Sequence, residues 1–156
     1  MNANTVIRME NPRDEGVRQL IAALDDYLSS LYPPESNHFL DVEQLAAREV
    51  CFFVARRDDA PVGCGALRID RSGYGELKRM YVAPEARGQG VGRALLARIE
   101  TEAAREGLAL LRLETGMRQT EAIALYRSCG YVDCGPFGEY QTDPLSRFME
   151  KKLTLR

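Results

Sequence analysis

The sequence is poor in the residues that build metal centres. It has one histidine, His38, and four cysteines, Cys51, Cys64, Cys129 and Cys134, none of them in CxxC spacing. That scatter lacks the zinc patterns, predicts no metal site and fits reduced thiols in packing roles. No stretch approaches the ~18 apolar residues of a membrane span. The opening MNANTVIRMENPRDEG has no apolar run of the signal-peptide kind. Positive charge is not in excess: 21 Lys and Arg stand against 23 Asp and Glu, a net charge of -2. A general nucleic-acid binder usually shows a basic balance. No repeat, low-complexity tract or linker interrupts the chain. These absences predict a cytoplasmic protein with neither nucleic acid nor membrane as partner, folded as one domain over residues 1–156, long enough to bury a core.

What is present is an alternation of short apolar runs and amphipathic stretches. Residues 5–10 read as a first strand. Asn11-Pro12 reads as a helix start, with Asn as cap and Pro in the first turn. Val17, Leu20, Ile21, Leu24, Leu28 and Leu31 recur at helical spacing, and Pro33-Pro34 closes that helix. A loop and a short helix at about 41–48 follow. Strands at 51–57, 62–70 and 74–82 are joined by Asp58-Asp59-Ala60-Pro61 and Arg71-Ser72-Gly73, connections short enough for an antiparallel meander. Beyond Pro84 come a helix at 91–106 closed by Gly107, a strand at 108–115, a helix at 120–129 broken by Gly130, and strands at 131–134 and 147–153. The expectation is an α/β fold with a mixed sheet and helices on both faces.

The most informative segment is ELKRMYVAPEARGQGVGRALL, residues 76–96, where a strand runs into a glycine-rich turn that opens a helix. The first turn of a helix presents free N–H groups and the positive end of its dipole. Glycines let that backbone approach a ligand closely. Together they form an anion site suited to a pyrophosphate, with Arg87 and Arg93 adding positive charge. A P-loop would end in Gly-Lys-Ser/Thr, whereas Arg93-Ala94 follows Gly92 here. A dinucleotide fingerprint would follow the first strand, not a mid-chain meander.

Arg87-x-x-Gly90-x-Gly92 after a strand resembles the pyrophosphate loop of the GNAT superfamily, the GCN5-related N-acetyltransferases. A second GNAT-like element runs Gln119-x-x-Ala122-x-x-Leu125-Tyr126-x-x-x-Gly130-Tyr131, with Gln119 where the family usually has Asn. The element order over the whole chain is similar as well. PPESNH near residue 35, GCGALR at 63–68, LETG at 113–116 and PFGEYQTDPLSRFMEKKL at 136–153 resemble a bacterial subgroup labelled indole-3-acetate acetyltransferase. The resemblance implies about six or seven strands with splayed central parallel strands at about 77–82 and 109–115. It implies acetyl-CoA as cosubstrate, and an amine of a small molecule or peptide as acceptor, attacked directly in a ternary complex. Homodimers are frequent in such a family.

The resemblance also implies a set of site residues. Met80, Tyr81 and Val82 on the strand, Arg87, Gly88, Gln89, Gly90, Val91, Gly92 and Arg93 on the turn, and Gln119 would hold the cofactor. A backbone N–H near Met80 would face the developing oxyanion. Glu76, eleven residues before Arg87, is the expected base, with Glu114 or water as alternatives. Tyr126 is the expected acid for the departing thiolate. Glu35, Ser36, His38, Glu114 and Tyr140 are the candidates for the acceptor side. A non-catalytic acetyl-CoA-binding regulatory module is the rival reading, and it would need neither Glu76 nor Tyr126.

Overall fold

The apolar runs in the middle of the chain become the interior of one mixed sheet. The structure is a computed structural model that describes residues 4–34 and 41–154. Its strands are β1 (Thr5–Met9), β2 (Val50–Arg57), β3 (Ala60–Ile69), β4 (Gly75–Val82), β5 (Leu110–Gly116), β6 (Val132–Cys134) and β7 (Ser146–Lys152). They form a seven-stranded sheet in the order β1-β2-β3-β4-β5-β7-β6. All neighbours pair antiparallel except β4 and β5, which are parallel.

The helices are α1 (Glu15–Leu31), α2 (Val42–Leu45), α3 (Val91–Arg105) and α4 (Thr120–Ser128). The apolar stripe of α1, with Val17, Leu20, Ile21 and Leu24, packs on Phe52, Val54, Cys64 and Ala66 of one sheet face. The opposite face carries Phe53, Leu67, Leu77, Leu111 and Leu113 against Leu95, Leu96 and Ile99 of α3. Successive strand residues point to opposite faces, so Phe52 and Phe53 serve different layers. Burial pushes the Cys64 thiol up to about 12, and all four cysteines are free.

Two element boundaries differ from the sequence expectation for identifiable reasons. The α1 helix starts at Glu15, not at Pro12. Asn11 instead closes a turn: its Oδ1 accepts from Arg13 N at 2.9 Å, and its carbonyl accepts from Asp14 N at 3.1 Å. Asp14 is thereby left as the N-cap. The α2 helix is a single turn rather than an eight-residue one, fixed by a capping box in which Asp41 accepts from Gln44 N at 2.8 Å and Gln44 returns a bond at 2.9 Å.

Candidate active site

The site begins where the sheet comes apart. The parallel pair β4–β5 is in register only at Gly75–Leu77 opposite Leu111–Leu113. Beyond that the strands diverge and leave a slot. A β-bulge contributes on the β4 side. Cys64 pairs with Tyr81 and Ala66 with Lys78, so Gly65 alone faces both Arg79 and Met80. Arg79 sits at φ = 57°, in the left-handed region that non-glycine residues rarely occupy. The slot is walled by Leu24, Leu28 and Tyr32 from the α1 side, by residues 77–80 of β4, and by Leu113, Glu114, Thr115 and Gly116 of β5, with Gln119 and Tyr126 closing it.

At one end the slot meets a cavity of about 290 Å³ formed at the start of α3. Gly88 and Gly90 have φ of 73° and 83°, and Gly90 is the N-cap of α3. These left-handed residues turn the chain so that the first turn of α3 opens into the cavity. Tyr81, Val82, Arg87, Gly88, Gly90, Val91, Gly92 and Arg93 line it. Arg87 donates Nε to the Val82 carbonyl at 2.9 Å, and its guanidinium lies 5.6 Å and 5.7 Å from the ring centres of Tyr27 and Tyr81. Arg93 is anchored on Ser128 Oγ at 2.8 Å and Cys129 Sγ at 3.2 Å. A helix N-terminus, two guanidinium groups and a glycine backbone are the donor set that a pyrophosphate requires.

Met80, Gln119 and Tyr126 line both slot and cavity, so they mark the junction. Tyr126 is buried, and burial, reinforced by the charge of Glu114, raises its hydroxyl above the ordinary tyrosine range. Glu114 is oriented by Ser146, whose Oγ donates to Oε2 at 2.6 Å. Tyr32 caps the far wall. Its hydroxyl accepts from Arg118 N at 3.0 Å, and its ring packs so tightly on Gly116 that a Cβ there would lie 1.9 Å from the hydroxyl oxygen. Gly116 is thus required for a close approach.

On the other side of the slot lies a second cavity, about 540 Å³, between the β3–β4 hairpin, α2 and the 138–140 turn. Its floor is a charged cluster. Glu76, with a side chain 3% exposed, accepts from Arg68 NH2 at 3.1 Å and from Tyr140 OH at 2.5 Å. Lys78 Nζ lies 3.4 Å from Glu76 and donates to the Tyr140 hydroxyl at 2.6 Å. Burial, then the Glu76 charge, raises the Tyr140 hydroxyl far above its usual range. Arg68 also reaches Asp70 at 3.2 Å. Lys78 borders both this cavity and the slot.

The structure therefore places most of the described sequence candidates along three neighbouring spaces that share lining residues. Gln89 is the exception among the turn residues: its side chain turns back to the Glu85 carbonyl at 3.4 Å and does not line the cavity. Glu76 and Tyr140 line the second cavity rather than the slot itself, and Glu114 lines the slot. Glu35, Ser36 and His38 lie outside the described residues. Lys78, Arg68 and Tyr32 were not anticipated. Lys78 shares a strand face with Glu76 at i+2, and the hairpin register sets Arg68 opposite Glu76. Those two placements follow from strand periodicity once the turn at 70–74 is fixed. Among the described residues no group of three His, Cys, Asp or Glu side chains is placed to hold a metal ion, and no helix is long and apolar enough to cross a membrane.

Comparison with known proteins agrees with this geometry. The profile of the acetyltransferase (GNAT) family matches residues 18–131. An IAA acetyltransferase of Azospirillum brasilense is 56% identical over 151 residues, spanning 96% of this chain and 99% of that protein. YsnE of Bacillus subtilis, an uncharacterized N-acetyltransferase, is 38% identical over 141 residues, 87% of this chain and 93% of that one. The crystal structure of a Klebsiella pneumoniae protein described as an acyl-CoA N-acyltransferase superposes with a TM-score of 0.86 at 42% identity, covering 98% of this chain and all of that one. Sequence, splayed sheet and glycine turn lead to one conclusion: the chain belongs to the GNAT family of acetyltransferases and is an acetyl-CoA-dependent N-acetyltransferase.

Proposed function

We propose that the enzyme acetylates the amine of a small molecule or short peptide by direct attack while both substrates are bound. The observation that carries this is that three neighbouring spaces share walls: the cavity at the α3 N-terminus, the slot, and the charged cavity. Met80, Gln119 and Tyr126 join the first two, and Lys78 joins the last two. An acetyl donor entering from one end and an amine from the other meet in the slot, which favours transfer without an acyl-enzyme. The reading places the enzyme in the cytoplasm, where acetyl-CoA is available. The name of the Azospirillum relative points to indole-3-acetate. That molecule has no nucleophilic amine, so the acceptor of this chain is sought among amines.

In this reading the turn at 87–92 and Arg93 hold the pyrophosphate, and the β4 backbone at 80–82 pairs with the pantetheine arm as an added strand would. Acetyl-CoA supplies an activated acetyl group on a thiolate leaving group. Glu76 takes the amine proton through the Tyr140 hydroxyl, which already contacts it at 2.5 Å. Tyr126, buried and kept protonated, gives its proton to the departing sulfur. The test is CoA-thiol release with acetyl-CoA and a panel of amines, for wild type and Glu76→Gln. The variant should lose about 10²-fold or more in kcat, the usual worth of a general base, with acetyl-CoA affinity unchanged. Wild-type turnover in the variant transfers the role to Glu114 or to water.

A further inference from the structure

The slot between β4 and β5 is the smallest of the three spaces, about 70 Å³ against about 290 Å³ at the start of α3 and about 540 Å³ in the charged cavity. Its lining divides by chemistry. Lys78 and Glu114 are charged, whereas Leu24, Leu28, Tyr32 and Leu113 form a largely apolar wall. Resting on the reading that transfer takes place in this slot, we propose that Tyr32 sets the acyl chain length the enzyme transfers. Its ring closes the apolar end, so that an acetyl group fits and a longer acyl group does not.

The thioester reaches the slot past Met80, Gln119 and Tyr126, which line both slot and cofactor cavity. From that junction the acyl carbons run along the apolar wall, because burying them against Leu24, Leu28 and Leu113 removes them from water. The polar amine is left the side of Lys78 and Glu114. Tyr32, 6% exposed, is held from several directions. It is the C-cap of α1, with its N–H on the Leu28 carbonyl at 3.0 Å and its backbone extended. Pro33 follows and keeps it extended. Its hydroxyl accepts from Arg118 N at 3.0 Å, and the Arg118 guanidinium, bonded to the Leu31 carbonyl, lies 5.9 Å from the ring centre. Gly116 gives the ring its room: a Cβ there would lie 2.0 Å from Cζ. A ring held in this way makes no space for a further methylene without giving up those contacts, and a close-packed wall does not yield by small steps.

The test compares acetyl-, propionyl- and butyryl-CoA, by calorimetry without acceptor and by CoA release with the best amine of the panel. One methylene in an apolar pocket is worth about 10–200-fold in discrimination. Wild type should therefore prefer acetyl-CoA to propionyl-CoA by about tenfold or more in kcat/KM, and should bind butyryl-CoA more weakly than acetyl-CoA. Tyr32→Ala should bring propionyl-CoA to within about threefold of acetyl-CoA, a ratio that general destabilisation would not move. Tyr32→Phe keeps the ring and should keep the preference. Gly116→Ala added to Tyr32→Ala puts a methyl into the vacated space and should restore part of it. Leu28→Ala, from the same wall, gives the same readout where Tyr32→Ala fails to fold. Equal use of butyryl- and acetyl-CoA by wild type overturns the inference while leaving acyl transfer intact. So does an acetyl preference that survives in Tyr32→Ala and Leu28→Ala, or a Tyr32→Ala variant altered only in its choice of amine. CoA release with none of the amines removes the reading beneath, and the acceptor-free affinity ratio of acetyl- to butyryl-CoA then decides whether Tyr32 limits the chain.

Discussion

Asp25 of α1 and Arg79 of the β4 bulge form an ion pair at 2.6 Å, with the arginine side chain only 1% exposed. Arg79 is also the residue at φ = 57°, a conformation that costs about 1–3 kcal/mol outside glycine. The pair thus ties the helix that walls the slot to the strained turn that shapes its other side. Removing one partner of a buried pair leaves the other charge stranded, typically at about 3–5 kcal/mol. Asp25 is 39% exposed, so water offsets part of that loss. Asp25→Ala should lower the urea-unfolding free energy by about 1–3 kcal/mol and reduce kcat while leaving acetyl-CoA affinity nearly unchanged, because the glycine turn is built separately. Unchanged stability and unchanged kcat would show that the bulge holds without α1.

Gly90 tests the cofactor end. At φ = 83° and at the N-cap of α3, it has no Cβ to obstruct the opening of the cavity. Gly90→Asp puts a negative charge where a pyrophosphate would sit. Like charges some 4 Å apart repel by a few kcal/mol at intermediate dielectric, about a hundredfold or more in affinity. Calorimetry on the folded variant should register that loss. Wild-type affinity would place the pyrophosphate elsewhere.

Tyr126 tests the leaving-group end. Tyr126→Phe keeps the ring that lies 5.9 Å from Tyr131 and removes only the hydroxyl. A thiolate is a fair leaving group, so kcat should fall by no more than about 10²-fold, the low end for general acids. The fold and acetyl-CoA affinity should persist. The hydroxyl is raised above its usual value of about 10 by burial, so the kcat profile should show no alkaline limb from this group below that pH. Full kcat in the Phe variant with unfolding of Tyr126→Ala would make it a core residue only.

Two buried tyrosines, Tyr126 and Tyr131, and the half-buried Tyr140 contribute to the alkaline stability. Burial first, and then the charges of Glu114, Glu100 and Glu76, raises Tyr126, Tyr131 and Tyr140 in the folded state. Unfolded tyrosines lose their protons near pH ~10 while the folded ones keep theirs. Their contribution to stability is full below that pH and is lost as pH rises past it. Urea midpoints should fall between about pH 8 and about pH 11, and Tyr131→Phe should flatten the slope. A midpoint independent of pH would contradict the burial argument.

The sheet, its helices and the glycine turn were legible because each rests on a local period or a local breaker. The stripe Val17–Leu31, the closure at Gly107 and the loop at 88–92 need no tertiary information. The start of α1 was misread because Asn11-Pro12 suits a helix cap and an Asx-type turn equally, and the bond from Arg13 N to Asn11 decides for the turn. The splay was implied only by resemblance. The bulge beside it, with Arg79 and Met80 opposite Gly65, depends on register. The grouping of Arg68, Glu76, Lys78 and Tyr140 joins a hairpin to a distant turn, with Tyr140 64 positions after Glu76, and no sequence period links Tyr140 to the rest.

The central claim is transfer of acetyl from acetyl-CoA to an amine within the slot. The direct measurement follows isotope-labelled acetyl-CoA with a panel of amine acceptors, locating the label by mass spectrometry and NMR. The account expects one acetyl group on the acceptor nitrogen, release of stoichiometric CoA, and intersecting rather than parallel lines in two-substrate kinetics. Label on an oxygen atom, label retained on the protein with parallel kinetics, or no transfer from bound acetyl-CoA to any amine would contradict it.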